Sequence, residues 1–429
     1  MKRILRVVGD ADPYIITGAF LIFCRGWRPR HPADFRCVIV SNNRRGDHWS
    51  PAYNGLAVHA PTIACCKNTP TNTDIVINLK GCDYMNEKAG LYIHIPFCRS
   101  KCPYCDFYSV KYDEALAEAY THRLIDEMKK YEGSFDTIYF GGGTPSILEP
   151  EPIGEIIEGA KNQFDIGKNA EITIECNPSK NLERDFEKYV SYGVNRISLG
   201  MQSARNEERF ALGRSAGQAE VAKAVNDAKK AGITNISLDV MLGTPKQTLD
   251  SLDCTFEFID KMNVTHISAY MLKIEEGTRF FEMQDRLALP NEDTVCEMYL
   301  KTINSLSTLG FNQYEISNFS KVGFESRHNL KYWRLVPYLG IGKSAHSFWQ
   351  GRRFYYDKDF NKIDDGEGGT IEEKIMLGLR LREGIDKSIL KNDNYKKFVK
   401  MNLIKETDKK ISLTNQGMLL SNIIIGELL

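Results

Sequence analysis

Three cysteines in one short segment have the residue type and the spacing to hold an iron–sulfur cluster. Cys98, Cys102 and Cys105 span eight residues in the segment GLYIHIPFCRSKCPYCDF, in a CxxxCxxC pattern. Three thiolates on one tight loop suit three irons of a [4Fe–4S] cubane. No fourth cysteine follows at a matching spacing, which leaves the fourth iron open to an outside ligand. The alternatives are redox-inert thiols or a zinc site, although structural zinc prefers four protein ligands.

A repeating pattern of strands and helices surrounds this segment. Short β-branched and aromatic runs recur at intervals of roughly 25–45 residues, with helical patterns between them. The predicted strands are Leu91–Ile95, Thr137–Phe140, Glu171–Glu175, Arg196–Leu199, Asn235–Val240 and His266–Met271. The first helical pattern repeats at i+4 through Leu116, Tyr120, Leu124 and Met128, which predicts one apolar stripe. Repeated βα units imply a parallel sheet, and six of them close only part of a barrel. The predicted fold class is therefore α/β, a partial (β/α)6 TIM-type barrel.

Residues with chemical potential follow the ends of these strands. Gly141–Gly143 come directly after the second strand, and Glu175 closes the third. Gln202 lies just beyond the fourth strand and Asp239 near the end of the fifth, while the cysteines follow the first. In such barrels chemistry gathers at the carboxyl ends of the strands. We therefore expect all of these residues on one rim.

From about Leu91 to the C-terminus, the sequence resembles the radical S-adenosylmethionine (SAM) superfamily. The resemblance lies in the branch of oxygen-independent coproporphyrinogen III dehydrogenase and the heme chaperones of the HemW type. It rests on the cysteine pattern and on the segments YFGGGTPS, EITIECNP, SLGMQS, LGRS and SLDVMLGTP. It implies a barrel of the radical SAM kind, with a [4Fe–4S] cluster and SAM as cofactors. The outside ligand of the fourth iron would then be the amino and carboxylate groups of SAM, and reductive SAM cleavage is the implied chemistry.

The resemblance also implies which residues contact SAM. The glycine run receives its amino group, since glycine lets a ligand approach the backbone without a Cβ in the way. Glu175 matches the acidic partner of the ribose hydroxyls, because a carboxylate accepts from two hydroxyls at once. The implied SAM contacts are Tyr92, Gly142, Gly143, Thr144, Glu175, Gln202, Arg214 and Asp239. The alternative for each is a plain turn or an ordinary polar residue, most readily so for Arg214.

Two features separate the dehydrogenase type from the chaperone type. In the dehydrogenase the motif continues as CxxxCxxCxC, whereas here Phe107 stands two residues beyond Cys105, as in the chaperones. The segment HNLKYW, His328 to Trp333, also resembles the chaperones. His328 is a candidate axial heme ligand, because imidazole binds heme iron well; the alternative is a hydrogen-bonded structural histidine. His346 is a second candidate for heme contact.

The resemblance therefore favours a heme chaperone-like radical SAM protein that carries heme as cargo to respiratory proteins. One alternative is the enzyme that oxidatively decarboxylates coproporphyrinogen III in porphyrin biosynthesis. Another is a non-catalytic iron–sulfur binding protein with a vestigial SAM site. The sequence leaves open whether SAM is cleaved in the cell.

Composition limits the partners and the location. The formal net charge is zero, so no overall field attracts nucleic acid or an acidic membrane. No apolar run reaches the roughly 20 residues that a membrane-spanning helix needs. We expect a cytoplasmic protein with no nucleic-acid partner and at most peripheral membrane contact.

The chain divides into three predicted parts. Residues 1–84 contain no glutamate, eight Arg against three Lys, and five cysteines without metal-ligand spacing. We interpret them as an atypical extension, either upstream sequence translated in frame or a poorly ordered segment; a genuine small domain is the alternative. The radical SAM core is predicted at 85–350. Residues 365–429 are predicted to form a small C-terminal domain of helices and a hairpin that resembles a winged helix.

Mass spectrometry of the native protein tests the interpretation of residues 1–84. We expect peptides from Met85 onward and none from the preceding residues, because the sequence from Met85 reads like a natural protein start. Peptides from residues 1–84 in native material would contradict this interpretation.

Overall fold

The computed structural model describes residues 87–178 and 182–429. The predicted extension over residues 1–84 lies outside the described residues. Among the residues that are described, no helix combines the length and apolar character needed to cross a bilayer.

The described chain alternates between strands and helices. In chain order the strands are β1 (Ala89–Ile95), β2 (Phe97–Cys98), β3 (Val110–Lys111), β4 (Ser134–Gly142), β5 (Asp165–Cys176), β6 (Arg196–Gln202), β7 (Asn235–Leu242), β8 (His266–Met271), β9 (Asn312–Gln313), β10 (Asn318–Ser320), β11 (Tyr338–Ile341), β12 (His346–Trp349), β13 (Arg352–Tyr356), β14 (Lys362–Glu367), β15 (Ile385–Asp386), β16 (Ile404–Glu406) and β17 (Lys410–Leu413). The helices are α1 (Glu114–Met128), α2 (Pro150–Gln163), α3 (Leu182–Tyr192), α4 (Asn206–Ala211), α5 (Gln218–Lys230), α6 (Leu249–Met262), α7 (Arg279–Glu282), α8 (Glu292–Thr308), α9 (Arg327–Trp333), α10 (Ile371–Gly378), α11 (Tyr395–Lys400), α12 (Asn415–Leu419) and α13 (Ser421–Leu428).

Six parallel strands form the centre of one large sheet. Their order is β1-β4-β5-β6-β7-β8, which is their order along the chain. Strand β11 adds in parallel beyond β1, and β12 to β14 continue that side antiparallel. On the other side β10 pairs antiparallel with β8, and β9 pairs with β10. The predicted partial (β/α)6 barrel is confirmed, with each predicted strand inside an observed one.

Side chains on the six central strands alternate between an apolar face and a polar face. On β6, for example, Ile197 and Leu199 belong to the main apolar core, whereas Ser198 hydrogen-bonds to the Asp239 carboxylate at 2.9 Å. This alternation follows from the period of two along a strand. The apolar faces pack into a core with the helices, and the polar faces meet in the barrel interior.

The apolar stripe predicted for α1 is partly wrong. Tyr120, Leu124 and Met128 are buried as expected, but Leu116 is 60% exposed. Ala117 and Thr121 complete the buried face instead. Leu116 lies in the first turn, where Asp113 caps the helix by accepting from the Leu116 backbone N–H at 3.0 Å. The buried face at the start of α1 is therefore occupied by Ala117 rather than by Leu116.

The chain from α10 to α13, called here the C-terminal segment, has its own small antiparallel sheet, ordered β15-β17-β16. Strands β16 and β17 form the hairpin that the sequence predicts. An ion pair joins this segment to the edge of the barrel: the Arg380 guanidinium lies 3.3 Å from the Glu315 carboxylate, and both residues are buried. The C-terminal segment is thus anchored to the large sheet.

Candidate functional site

A cavity of about 1830 Å³ opens at the carboxyl ends of the barrel strands. It is larger than the roughly 300–1,000 Å³ of ordinary small-molecule sites. Most of the residues singled out from the sequence line it: Cys98, Cys102, Cys105, Gly142, Gly143, Thr144, Glu175, Gln202, Arg214 and Asp239. Residues far apart along the chain therefore share one rim, as strand-end placement predicts.

The three cysteines lie on a loop whose two ends are joined to each other by the short parallel pair of β2 and β3. The Val110 N–H donates to the Pro96 carbonyl at 2.7 Å, and the Tyr112 N–H donates to the Cys98 carbonyl at 2.9 Å. A turn brings Cys105 back on Cys102, whose carbonyl accepts from the Cys105 N–H at 3.1 Å. Burial raises the pKa of the Cys105 thiol to about 12, so binding of a metal there displaces a proton.

The arrangement suits a cluster whose irons bind separate thiolates. In the part of the chain that the structure describes, no three His, Cys, Asp or Glu side chains are grouped closely enough to share one metal ion. Three thiolates on a cubane need no such convergence, because each of them binds a different iron.

The glycine run packs directly against the cysteine loop. Gly142 has a φ of +118°, a conformation that favours glycine. A Cβ on Gly143 would lie 2.7 Å from the Phe97 carbonyl oxygen and 3.0 Å from the Cys98 Sγ. The N–H of Gly143 donates to the Ile95 carbonyl at 2.8 Å, and that of Thr144 to the Phe97 carbonyl at 2.9 Å. Close approach of two backbones therefore requires glycine here.

Two carboxylates face the cavity with different partners. Glu175 accepts a hydrogen bond from the Tyr139 hydroxyl at 2.8 Å. Asp239 accepts from the Ser198 hydroxyl, and burial raises the pKa of its carboxyl above the usual value. Period-two spacing places Tyr139 on the interior face of β4, which is a signal that sequence reasoning could have used.

Gln202 reaches the rim through an irregular backbone. The pairing of β6 with β7 shifts register between Gly200 and Gln202, and Gln202 has a φ of +68°. A bulge of this kind re-aims a side chain at the end of a strand. Left-handed backbone in a residue other than glycine clusters at functional sites.

Arg214 joins three elements of the site and is not a surface residue. Its Nη2 and Nε donate to the Tyr104 hydroxyl at 2.9 and 3.2 Å, and its Nη1 donates to the Asn177 Oδ1 at 2.6 Å. The Asn177 amide in turn donates to the Thr144 hydroxyl at 3.0 Å. Because Tyr104 lies between two of the cysteines, this network links the cysteine loop, the glycine run and the end of β5. Sequence reasoning missed Tyr104 and Asn177.

Tyr92 and His328 lie in the barrel interior and do not line the cavity. Tyr92 is fully buried beneath Tyr139, with ring centroids 6.2 Å apart. The Nδ1 of His328 lies 2.7 Å from the Thr137 hydroxyl, and its Nε2 lies 2.7 Å from the Tyr332 hydroxyl. Burial lowers the pKa of His328 well below the usual value. Iron ligation by His328 requires one of these hydrogen bonds to break, so that role stays a prediction.

The HNLKYW segment forms helix α9, which Glu171 holds in place. The Glu171 carboxylate accepts from the backbone N–H of Arg327 at 3.2 Å and from that of His328 at 3.1 Å. A carboxylate at this position also complements the positive end of a helix. At the other end of the helix, Tyr332 and Trp333 line the cavity. The aromatic pair, rather than the histidine, is the part of the segment that faces the cavity.

His346 also lines the cavity and stacks on Tyr355 with ring centroids 5.1 Å apart. Burial lowers its pKa to about 3, so the imidazole is neutral at pH 7. A neutral imidazole is the form that binds metals. His346 therefore lines the cavity, whereas His328 does not, and its contact with heme stays a prediction.

Comparisons with known proteins agree with this geometry. A family model described as the radical SAM superfamily matches residues 92–259. A protein named heme chaperone HemW from Lactococcus lactis subsp. lactis is 32% identical over 365 residues, which cover 79% of this chain and 96% of the relative. The protein of that name from Bacillus subtilis is 33% identical over 79% of this chain and 98% of its own length. This chain belongs to the HemW family of the radical SAM superfamily.

A solved structure shares the fold of this HemW-family chain. Coproporphyrinogen III oxidase (HemN) from Escherichia coli, a radical SAM enzyme, superposes with a TM-score of 0.67 at 21% identity. The superposition covers 81% of this chain and 91% of that one. As a radical SAM protein, the chain uses a [4Fe–4S] cluster and SAM, and the cysteine loop beside the glycine run fits both. When bound, they supply one-electron reductive chemistry.

Replacing Gly143 tests the contact between the glycine run and the cysteine loop. We expect Gly143→Ala to lose most of its iron after anaerobic reconstitution, because the added Cβ must displace the backbone beside Cys98. Overpacking of this kind costs about 1–3 kcal/mol of stability. Iron and sulfide content, with circular dichroism to monitor folding, measure the effect. Gly167→Ala is the control, since its Cβ would meet only ordinary contacts from 3.5 Å. Full iron content in Gly143→Ala would contradict the prediction.

Acid stability tests the buried histidine beside the glycine run. Burial lowers the pKa of His94 to about 4, so the unfolded chain takes up this proton at higher pH than the folded chain. The stability that the neutral imidazole contributes is present above pH 6.5 and is lost as pH falls toward 4, by about 3 kcal/mol. Urea unfolding across this range should show a smaller loss for His94→Gln than for the wild type. His122→Gln serves as control, because His122 is exposed. If the free energy of unfolding of His94→Gln fell with pH as steeply as that of the wild type, His94 would not be the source of the acid sensitivity.

Proposed function

We propose that this chain is a heme chaperone that binds heme as cargo, together with its cluster and SAM, and delivers heme to respiratory proteins. The observation that carries this proposal is the position of helix α9. Its Tyr332 and Trp333 line the cavity that also contains the cysteine loop. The segment that resembles the chaperones therefore faces the space where a large cargo fits. The relatives named heme chaperone HemW support the same function.

Phe107 favours the chaperone over the coproporphyrinogen enzyme. It stands where the dehydrogenase motif has a further cysteine, and it lines the cavity beside the cysteine loop. The likeness to HemN is one of fold, and fold alone does not settle function. The retained set of SAM-type residues on the rim counts against a non-catalytic iron–sulfur protein.

Roles for individual residues belong to the same proposal. Cys98, Cys102 and Cys105 hold the cluster, while Gly142, Gly143 and Thr144 receive the amino end of SAM. Glu175 accepts from the ribose hydroxyls, with Tyr139 orienting its carboxylate. The remaining SAM contacts are Gln202, Arg214 and Asp239, with Tyr92 supporting Tyr139 from below.

The partners and the location complete the proposal. Heme is the cargo, and heme-receiving respiratory proteins are the recipients. The chain works in the cytoplasm. It makes at most peripheral membrane contact and binds no nucleic acid, since its formal net charge is zero.

One set of anaerobic measurements tests the proposal. After cluster reconstitution, hemin binding is followed by absorption, coproporphyrinogen III turnover by product analysis, and SAM binding by its effect on the electron paramagnetic resonance of the reduced cluster. We expect hemin binding, a SAM-dependent spectral change and no coproporphyrinogen decarboxylation. Cys98→Ala should lose the cluster signal, whereas Cys254→Ala should keep it, because Cys254 lies on α6 outside the lining of the cavity.

The contrary outcomes identify the alternatives. Robust decarboxylation of coproporphyrinogen III would replace the chaperone by the dehydrogenase. A cluster that ignores SAM, in a protein that binds no hemin, would leave only an iron–sulfur binding protein.

A further inference from the structure

Two buried hydrogen-bond donors in one wall of the cavity have no acceptor among the described residues. They are the Trp333 Nε1 and the Arg380 Nε, and both residues line the cavity. Trp333 is 5% exposed and Arg380 is 4% exposed. The Asn422 amide nitrogen on α13 is a third such group in the same lining. Buried donors are nearly always satisfied in native proteins, so each unsatisfied one requires an explanation.

The positions of the two donors are fixed by their neighbours. The Arg380 guanidinium lies 4.2 Å from the centroid of the Trp333 ring. Its Nη2 lies 3.3 Å from the Glu315 carboxylate, which is fully buried. The two side chains therefore hold each other in place. The Arg380 Nε and the Trp333 indole N–H remain without an acceptor among the described residues.

A second guanidinium lies on the same wall. The Nη1 of Arg353 donates to the Tyr338 hydroxyl at 2.9 Å, and its Nε pairs with Glu373 at 3.1 Å. The Tyr338 ring meets the Tyr332 ring edge-on at 4.5 Å. We call this wall the C-terminal subsite; it comprises Tyr332, Trp333, Tyr338, Arg353 and Arg380.

The C-terminal subsite combines aromatic faces with donors that lack acceptors. Flat apolar ligands pack on aromatic side chains, and arginine and indole N–H groups donate to carboxylate oxygens. Glu315 and Glu373 each pair with one of the two guanidinium groups, so a carboxylate would bind to the N–H groups that these ion pairs do not use, in charge-assisted hydrogen bonds. These features describe a large, flat, carboxylate-bearing molecule.

We propose that the C-terminal subsite binds the propionate carboxylates of a tetrapyrrole, which accept from Trp333 Nε1 and Arg380 Nε. This inference rests on the proposed function and adds the contacts that hold the cargo. The HNLKYW segment then acts through its tryptophan. His328 is a positioning residue, since its Nε2 lies 2.7 Å from the hydroxyl of Tyr332 in the same wall.

Equilibrium titrations on the anaerobically reconstituted full chain test the contact. The probes are hemin, hemin dimethyl ester, which keeps the macrocycle and lacks free carboxylates, and iron-free coproporphyrin III. We expect the wild type to bind hemin at least about tenfold more tightly than the ester, the scale of a hydrogen bond to a charged group. Trp333→Phe removes the N–H and keeps an aromatic ring. This variant should lose most of the preference for hemin over the ester, while its affinity for the ester should equal that of the wild type.

A matched control separates local charge from the proposed contact. Arg352 neighbours Arg353 on β13 but is exposed and pairs with Asp364, so Arg352→Gln should retain the wild-type preference. Arg380→Gln alone would leave Glu315 buried without its partner, which is strongly destabilising. The double variant Arg380→Gln/Glu315→Gln removes both charges and should show the same loss of preference as Trp333→Phe.

The outcomes distinguish this inference from the proposed function. Equal wild-type affinity for hemin and its ester would overturn the carboxylate contact, and so would a preference for hemin that is unchanged in Trp333→Phe. In either case the proposed heme chaperone function would stand. No hemin binding in any variant would overturn the proposed function itself. Coproporphyrin III binding that weakens in Trp333→Phe by the same factor supports recognition of the carboxylates rather than of iron, and binding that does not weaken contradicts it.

Discussion

Six parallel strands direct alternate side chains outward to the helices and inward to the barrel, and the rest of the site depends on this separation. Outward residues such as Ile197 and Leu199 are fully buried in the apolar core. Inward residues are polar and hydrogen-bond across strands, as Ser198 does to Asp239 and Tyr139 to Glu175. Because the inward set is polar, the carboxyl end of the barrel is a cavity with fixed donors and acceptors rather than a second apolar core.

Much of the architecture could be predicted from the sequence, because it depends on local patterns. Strand positions followed from short β-branched runs, and the shared rim followed from which residues come at the strand ends. The details that failed depend on neighbours distant in sequence. Arg214 and Tyr104 are 110 residues apart, so no local pattern shows that they meet. The bulge that turns Gln202 arises from pairing with β7. Packing against distant elements buries Ala117 at the start of α1 and leaves its neighbour Leu116 exposed.

The surroundings of His328 could not be predicted from the sequence. From the sequence, a histidine beside an aromatic pair is a reasonable metal ligand. In the structure, both of its ring nitrogens lie within hydrogen-bond distance of hydroxyls, from Thr137 on β4 and from Tyr332 one turn away on the same helix. Burial also keeps the ring neutral, since the protonated form would have to be charged inside the barrel. The His328 ring therefore lies between Thr137 and Tyr332, a contact across 191 residues that the sequence alone could not indicate.

The ion pair between Arg380 and Glu315 joins the C-terminal segment to the large sheet beside the cavity. Glu315 is fully buried on the barrel side and Arg380 belongs to the C-terminal segment. Separating the two residues while Glu315 stays buried would leave its carboxylate without a cation, which is strongly unfavourable. Arg380 and the α13 residues Asn422 and Ile425 line the cavity, so the C-terminal segment forms part of its wall. The wall of the cavity therefore depends on a contact between residues that are 65 positions apart in the chain.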